Sequence, residues 1–455
     1  MQKILKLFAE SCGIVIVLFM PSVSSSLTIT LDEAIERALE YNEGILAAKD
    51  GVSQAKAGVM VARSGFLPKI SAQASYTKLA QLPALEMPFT LLEPVIDSTG
   101  MWFKIVGFDT MAFKMGEQEN YVTRASLQQP LFTWGKVLNG YQISKLNVDA
   151  SKEDYRKQKN ELVFNVTQSF YGILVLEEFA KVTEEAYKQV ERHIEVVEKR
   201  YNEGLASKFD LLRGKVQLAN IEPQVIKVKN GLRIAKTGFK MLLGLSQDTP
   251  VELKGELKYE SLGQGQALPL HQCITEAQAN RPEIKSLSLR KQMARKALAI
   301  VRKANLPNLA FIANYDYKKP LYFENEWGTD WNVTFALQMP IFTGLGNFGK
   351  VRQASYQLSQ AEHGLNLLKE VVEMEVRATY LQLEEAKKLV ESQKENITQA
   401  KEALEIVEER YKTGLATSLE VMDTQLALTN AKTNWLQSLS DYLIAKAELE
   451  KAIGK

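Results

Sequence analysis

The chain has 455 residues, 45% of them apolar and 24% charged, a balance that excludes general disorder. Its 56 basic and 54 acidic residues leave a net charge of +2, which removes any electrostatic case for nucleic acid as a partner. Cys12 and Cys273 cannot build a disulfide scaffold and no Cys/His spacing suggests zinc, so neither a metal nor another cofactor is expected.

Residues 1–26, "MQKILKLFAESCGIVIVLFMPSVSSS", place lysines ahead of a short apolar run and end in small residues, the pattern of an export signal peptide. Cys12 precedes the apolar run, which argues against its use as a lipid acceptor. Past this segment no stretch approaches the ~18 to 20 uninterrupted apolar residues of a membrane helix. An exported chain that enters a bilayer must then do so as a closed β-barrel, because open sheet edges are not tolerated in lipid.

The rest of the chain is written twice. "LDEAIERALEYNEGI" and "FLPKISAQASY" (within Leu31–Tyr76) return as "LHQCITEAQANRPEI" and "NLPNLAFIANY" (within Leu270–Tyr315). "RYNEGLASKFDLL" (Arg200–Leu212) returns without a gap as "RYKTGLATSLEVM" (Arg410–Met422). The first repeat spans 27–243 and the second 270–455, each reading as a helix, two strands and a long helical hairpin. Residues 244–269 lie between them as an equatorial segment.

After Leu306-Pro307, Leu309, Phe311, Ala313, Tyr315 and Tyr317 alternate onto one face, and the partner strand does the same with Trp331, Val333, Phe335, Leu337 and Met339. Copy one is weaker, with Ala72, Ala74 and Tyr76, then Tyr121, Leu127 and Phe132 interrupted by Gln129. Each strand is about ten residues, enough to cross a bilayer when tilted. The aromatics Tyr76, Trp102, Tyr121, Trp134, Tyr315, Tyr317, Trp327 and Trp331 gather near them in the manner of a girdle. On this pattern alone, a soluble hairpin pair with a one-sided core reads equally well. The connection Leu79–Asn120 is much longer than its copy-two counterpart, and its Met, Phe and Pro content suggests an ordered plug or lid, or an exposed surface loop.

Beyond each strand pair the period becomes helical for roughly 65 residues, or ~100 Å of helix. Ile173, Leu176, Ala180, Thr183, Tyr187, Val190, Ile194, Val197 and Tyr201 form a coiled-coil seam. Leu383, Ala386, Val390, Gln393, Ile397, Ala400, Leu404, Val407 and Tyr411 repeat it. The equivalent polar members Thr183 and Gln393 are expected to set register. Gly204 and Gly414 stand where left-handed helix caps belong. Ser207 with Asp210, and Thr417 with Glu420, read as capping boxes that start the return helices. Leu205, Ala206, Leu415 and Ala416 leave apolar surface at these bends, of use to a docking partner. His193, His271 and His363 lie scattered as solvated or satisfied residues, and no GxSxG, HExxH or phosphate loop is present, so no enzyme is expected.

Taken together, the "LTITLDEAIERALEYN" opening, the paired Leu-Pro, the "PLF" and "PIF" strand closings at Pro130 and Pro340, and the two "RYxxGLA" bends resemble the TolC-like outer-membrane efflux proteins over the whole mature chain. The resemblance implies an α+β membrane protein: a homotrimer whose four strands per chain close a 12-stranded barrel in outer-membrane lipid and continue into a periplasmic α-helical tunnel. It implies a passive exit duct of a tripartite efflux pump or type I secretion system. Its partners would be a periplasmic adaptor and an inner-membrane transporter of RND, ABC or MFS type. Carried over by position, the periplasmic gate falls on Tyr411, Glu420 and Asp423, facing Asp210. The adaptor-docking tips fall on Gly204, Leu205 and Ala206 and on Gly414, Leu415 and Ala416. Where the resemblance expects an arginine lock two residues after the second glycine, this chain has Ala416. Arg213, the copy-one counterpart of Asp423, is the expected substitute. The alternative is an exported coiled-coil structural or surface protein without channel activity.

Overall fold

The computed structural model describes residues 27–455 apart from 99, 115, 260–267 and 323, so the expected signal peptide, residues 1–26, lies outside the described residues. In chain order the elements are β1 (Leu27–Ile29), α1 (Leu31–Tyr41), α2 (Glu43–Ser64), β2 (Lys69–Lys78), β3 (Ala84–Asp97), β4 (Gly100–Lys114), β5 (Glu119–Phe132), α3 (Lys136–Asn202) and α4 (Lys208–Leu242). The second half continues with β6 (Val251–Leu253), α5 (Leu270–Asn280), α6 (Pro282–Arg302), β7 (Asn308–Lys319), β8 (Gly328–Gln338), α7 (Gly346–Lys412) and α8 (Ser418–Ala452). The duplication is visible in the lengths: α3 and α7 have 67 residues each, and α4 and α8 have 35 each.

Two compact units share the chain, and α3 and α7 each run through both. The first contains the described residues up to Ala47, Gln158–Ala279 and Glu373–Lys455. Here the predicted seams are buried, with Ile173, Thr183, Val190, Ile194 and Val197 on α3 and Leu383, Ala386, Val390, Leu404 and Tyr411 on α7. The expectation that Thr183 and Gln393 set register is not met across the seam. Thr183 Oγ1 donates to Phe179 O of its own helix at 2.7 Å, the ordinary back-bond of a helical threonine, and Gln393 Oε1 accepts from Asn396 Nδ2. Neither bond crosses the seam. Between the repeats, β6 pairs in parallel with β1, and Tyr259 reaches α7 by donating to Glu391 Oε1 at 2.7 Å while its ring packs on Tyr442. Residues 260–267 of this segment lie outside the described residues.

The second unit, Ala48–Lys157 with Asn280–Val372, holds an antiparallel sheet in the order β2-β5-β7-β8. Register places Ile70, Leu127, Ala313 and Val333 in one row and Ala72, Ala125, Tyr315 and Trp331 in the next, all on one face. The opposite face is polar. Ser126 donates to Asn314 Oδ1 and Asn314 Nδ2 to Asn332 Oδ1; Arg124 grips Asp316 with two bonds at 2.7 and 2.8 Å, and Lys318 meets Asp330 at 2.9 Å. Gln129, the residue that interrupted the copy-one pattern, donates to Phe66 O next to a β-bulge at Pro130/Phe132.

The long connection is itself a ribbon. Leu79 N–H bonds Gln118 O just beyond the last β2-β5 pair, and β3 then pairs with β4 in a separate two-stranded sheet. Leu85, Met87, Phe89, Leu91, Met111 and Phe113 share one face of its first half. A bulge at Leu91/Leu92 changes the phase, so that Leu92, Pro94, Ile96, Met101, Phe103 and Ile105 occupy the opposite face of its second half. The connection is β structure whose apolar side chains are exposed, with no cover from other described residues of the second unit, a geometry that fits a plug or lid and an exposed surface loop alike.

Candidate functional site

The candidate site is built on the two helical bends of the first unit. Each α-helix ends in a Schellman cap: Leu205 N–H bonds Arg200 O and Gly204 N–H bonds Tyr201 O, with Leu415 to Arg410 and Gly414 to Tyr411 in the second copy. The glycines take φ of 74° and 78°, the left-handed region where a side chain would be strained. Each return helix then starts with a reciprocal capping box, Ser207 with Asp210 and Thr417 with Glu420. Leu205 and Leu415 are 74% and 70% exposed, as expected of the tips. Ala206 and Ala416 are partly buried, because both pack on the cluster of Val190, Ile194, Val197, Leu211, Tyr411 and Val421.

Of the expected gate residues, Tyr411 is buried, at 8% exposure, in that same cluster. Its ring lies between two groups of α3: the His193 imidazole at 5.3 Å and the Arg200 guanidinium at 4.4 Å, the latter also donating to Lys412 O at 3.1 Å. Glu420 is turned to its cap, accepting from Thr417 N–H at 2.6 Å and from Thr417 Oγ1 at 3.1 Å. The bond from the Thr417 backbone, then that from its hydroxyl, holds the Glu420 carboxyl below the usual glutamate range. Asp210 is likewise engaged by Ser207, whose hydroxyl donates to it at 2.6 Å. Asp423 and Arg213 are exposed, and among the described residues Arg213 forms no ion pair within the chain. Tyr411, Glu420 and Asp423 share one bend. The structure does not bring Asp210 or Arg213 into bonding contact with them.

Three residues absent from the sequence-derived set belong here. His193 Nε2 and Ser418 Oγ are 2.9 Å apart, both buried, and burial followed by the nearby Arg200 charge pushes the imidazole below its ordinary pKa. Arg200 is the second. The third, Gln425, is 5% exposed with an Oε1 that meets no donor, and it lines a cavity of about 350 Å³ together with Gln189, Arg192, His193, Glu408 and Tyr411. A signal for His193 existed: its copy-two counterpart is Ala403, so the copies diverge beside a matched seam position.

Comparison with known proteins adds to this geometry. The outer membrane efflux protein family matches residues 34–245 and 273–455, covering both repeats. The chain is similar to the outer membrane protein TolC of Escherichia coli, 20% identical over 66% of this chain and 62% of that one. It is also similar to the alkaline protease secretion protein AprF of Pseudomonas aeruginosa, 22% identical over 73% and 69%. The matched stretch thus spans about two thirds of these relatives' length. In three dimensions it resembles the CmeC outer membrane channel of Campylobacter jejuni, with a TM-score of 0.76 at 18% identity over 93% of this chain and 85% of that one. Both repeats, the antiparallel sheet and the twin capped bends agree with that assignment: this chain belongs to the outer membrane efflux protein family.

Proposed function

We propose that three copies of the chain form a passive outer-membrane exit duct, with the helices as a periplasmic tunnel, through which an inner-membrane transporter and a periplasmic adaptor discharge substrate. The family is one of efflux channels, not enzymes. The sheet β2-β5-β7-β8 carries this reading: it has one apolar and one polar face, and its outer strands β2 and β8 each leave an edge unpaired among the described residues. Four strands cannot close a barrel, and open edges are not stable in lipid, so other copies must supply the missing partners. The helices support the same conclusion. α7 exposes Leu367, Val371, Met374 and Leu381 at heptad-like spacing, and α4 exposes Leu212, Val216, Ile226 and Ile234.

In such an assembly Tyr411, Glu420 and Asp423, with Asp210 and Arg213, form the periplasmic gate. Three copies would bring their acids around one axis, and Arg213 would pair with an acid of a neighbouring copy. Leu205 and Leu415, seated by Gly204 and Gly414 and backed by Ala206 and Ala416, offer the adaptor an apolar tip. Planar-bilayer recording of protein purified from outer membranes, with unboiled gel migration, tests the duct. A heat-labile trimer with a small closed-state conductance is expected; a monomer that never inserts overturns the reading and favours the exported structural protein.

A further inference from the structure

We propose that His193 is a positioning residue of the gate, holding Tyr411 in the closed arrangement while its imidazole is neutral and releasing it on protonation. This rests on the reading of Tyr411 as a gate residue. The geometry is specific. α3 reaches the second bend through two side chains on one aromatic ring, His193 at 5.3 Å and Arg200 at 4.4 Å. His193 also anchors the start of α8 through Ser418, the first residue after the Thr417 cap. One imidazole therefore ties α3 to both arms of the second bend.

That environment disfavours a proton. Ser418 lies in the first turn of α8, at the positive end of the helix dipole. The charged groups of the adjoining cavity are Arg192 from α3 and Glu408 and Lys412 from α7, Lys412 being paired with Glu409, and the charge that acts on the imidazole is that of Arg200 on α3. α8 contributes the uncharged Ser418 and Gln425, and α4 presents Leu211 to this core. Asp210 and Glu420 are held in their capping boxes. Gln425 lines the same cavity, yet its Oε1 accepts no bond from the imidazole. The adjoining cavity of about 350 Å³ gives the ring room to move away from Tyr411.

The sign follows from linkage. A histidine whose pKa is depressed in the closed state stabilises that state above its ordinary value of about 6.5, and this is lost as pH falls below it. By pH 5.5 the loss reaches at most about tenfold in the closed-to-open ratio per copy. The test is the pH profile of closed-state conductance in planar bilayers between about pH 7.5 and 5.5, on the full assembled protein. The wild type should open progressively with acid, whereas His193→Gln, which keeps a neutral polar group, should give a flat profile. A second readout needs no variant: hydrogen-exchange protection of Tyr411–Val421, relative to Tyr201–Leu211 and corrected for intrinsic rate, should fall over the same range. Equal pH dependence in His193→Gln, or constant relative protection, overturns the proposal. Tyr411→Ala separates the two levels. If it leaves conductance unchanged at every pH, the gate reading itself fails; if it opens the channel while His193→Gln keeps the acid response, only the role of His193 fails.

Discussion

The two bends have nearly the same backbone and different side-chain economies. Both carry a Schellman cap, a glycine at positive φ, an exposed leucine and a capping box. Yet Tyr201 is 38% exposed while Tyr411 is buried between His193 and Arg200. The matched arginines part company too: Arg200 crosses to Lys412 O of α7, whereas Arg410 folds back onto Leu415 O of its own bend. Duplication preserved what the backbone needs to reverse direction and let the surrounding side chains specialise. Copy two became the member held by its neighbour.

Removing each tyrosine should expose that asymmetry most strongly. Tyr411→Ala deletes a buried aromatic from a packed cluster and is expected to cost roughly 3 to 5 kcal/mol, whereas Tyr201→Ala should cost about 1 kcal/mol or less. Hydrogen exchange in the intact protein, read separately at the two bends, checks this. Equal losses would mean that burial of Tyr411 between His193 and Arg200 holds its bend no better than the exposed Tyr201 holds the other.

The glycines test the opposite half of the comparison, the shared backbone. Neither Gly204 nor Gly414 has an atom within 4 Å of an added Cβ, so substitution meets strain and no clash. Gly204→Ala and Gly414→Ala should each destabilise their bend by about 1 to 2 kcal/mol, and by the same amount. Bend-resolved exchange again decides. Arginine variants lie below these: Arg200→Ala loses a cation–π contact and an inter-helix bond and should cost about 1 kcal/mol, with Arg410→Ala nearer 0.5.

How much of this was legible from sequence depended on whether the signal was local. The Gly caps, both capping boxes and the 3-4 seams were readable because each rests on residues a few positions apart. The apolar face of β7 and β8 was readable by alternation and copy one less so, since Gln129 sits beside a bulge. The β3-β4 ribbon was hidden. Proline is disfavoured inside sheets, but a two-stranded ribbon has free edges that tolerate Pro88 and Pro94, and the phase change at Leu91/Leu92 erases the period. Likewise the pairing of His193 with Ser418 joins positions from different repeats, which no periodicity announces. Ala206 and Ala416 were read as exposed with their leucines, but a cap turns the two residues to opposite sides, and only packing reveals which way.

The smallest expected effect concerns the capping boxes, where the two bends agree in geometry but use a different acid. Glu420 accepts from Thr417 N–H and is held below the usual carboxylate range by that bond, while Asp210 plays the part in copy one. A carboxylate depressed in the folded state contributes stability above its unfolded pKa, and the contribution disappears as pH falls through the folded value. Protection of the first turn of α8 should therefore weaken a few-fold as pH drops below the ordinary glutamate value of about 4.3. Glu420→Gln can still accept a hydrogen bond from Thr417 but cannot titrate, so its first turn should be slightly less protected at neutral pH and indifferent to acid. Exchange of the Glu420 and Val421 amides, corrected for intrinsic rate, separates this acid step from the one near neutrality assigned to His193. A wild-type profile with a single step near pH 6 would show that the capping carboxylate adds nothing at this bend.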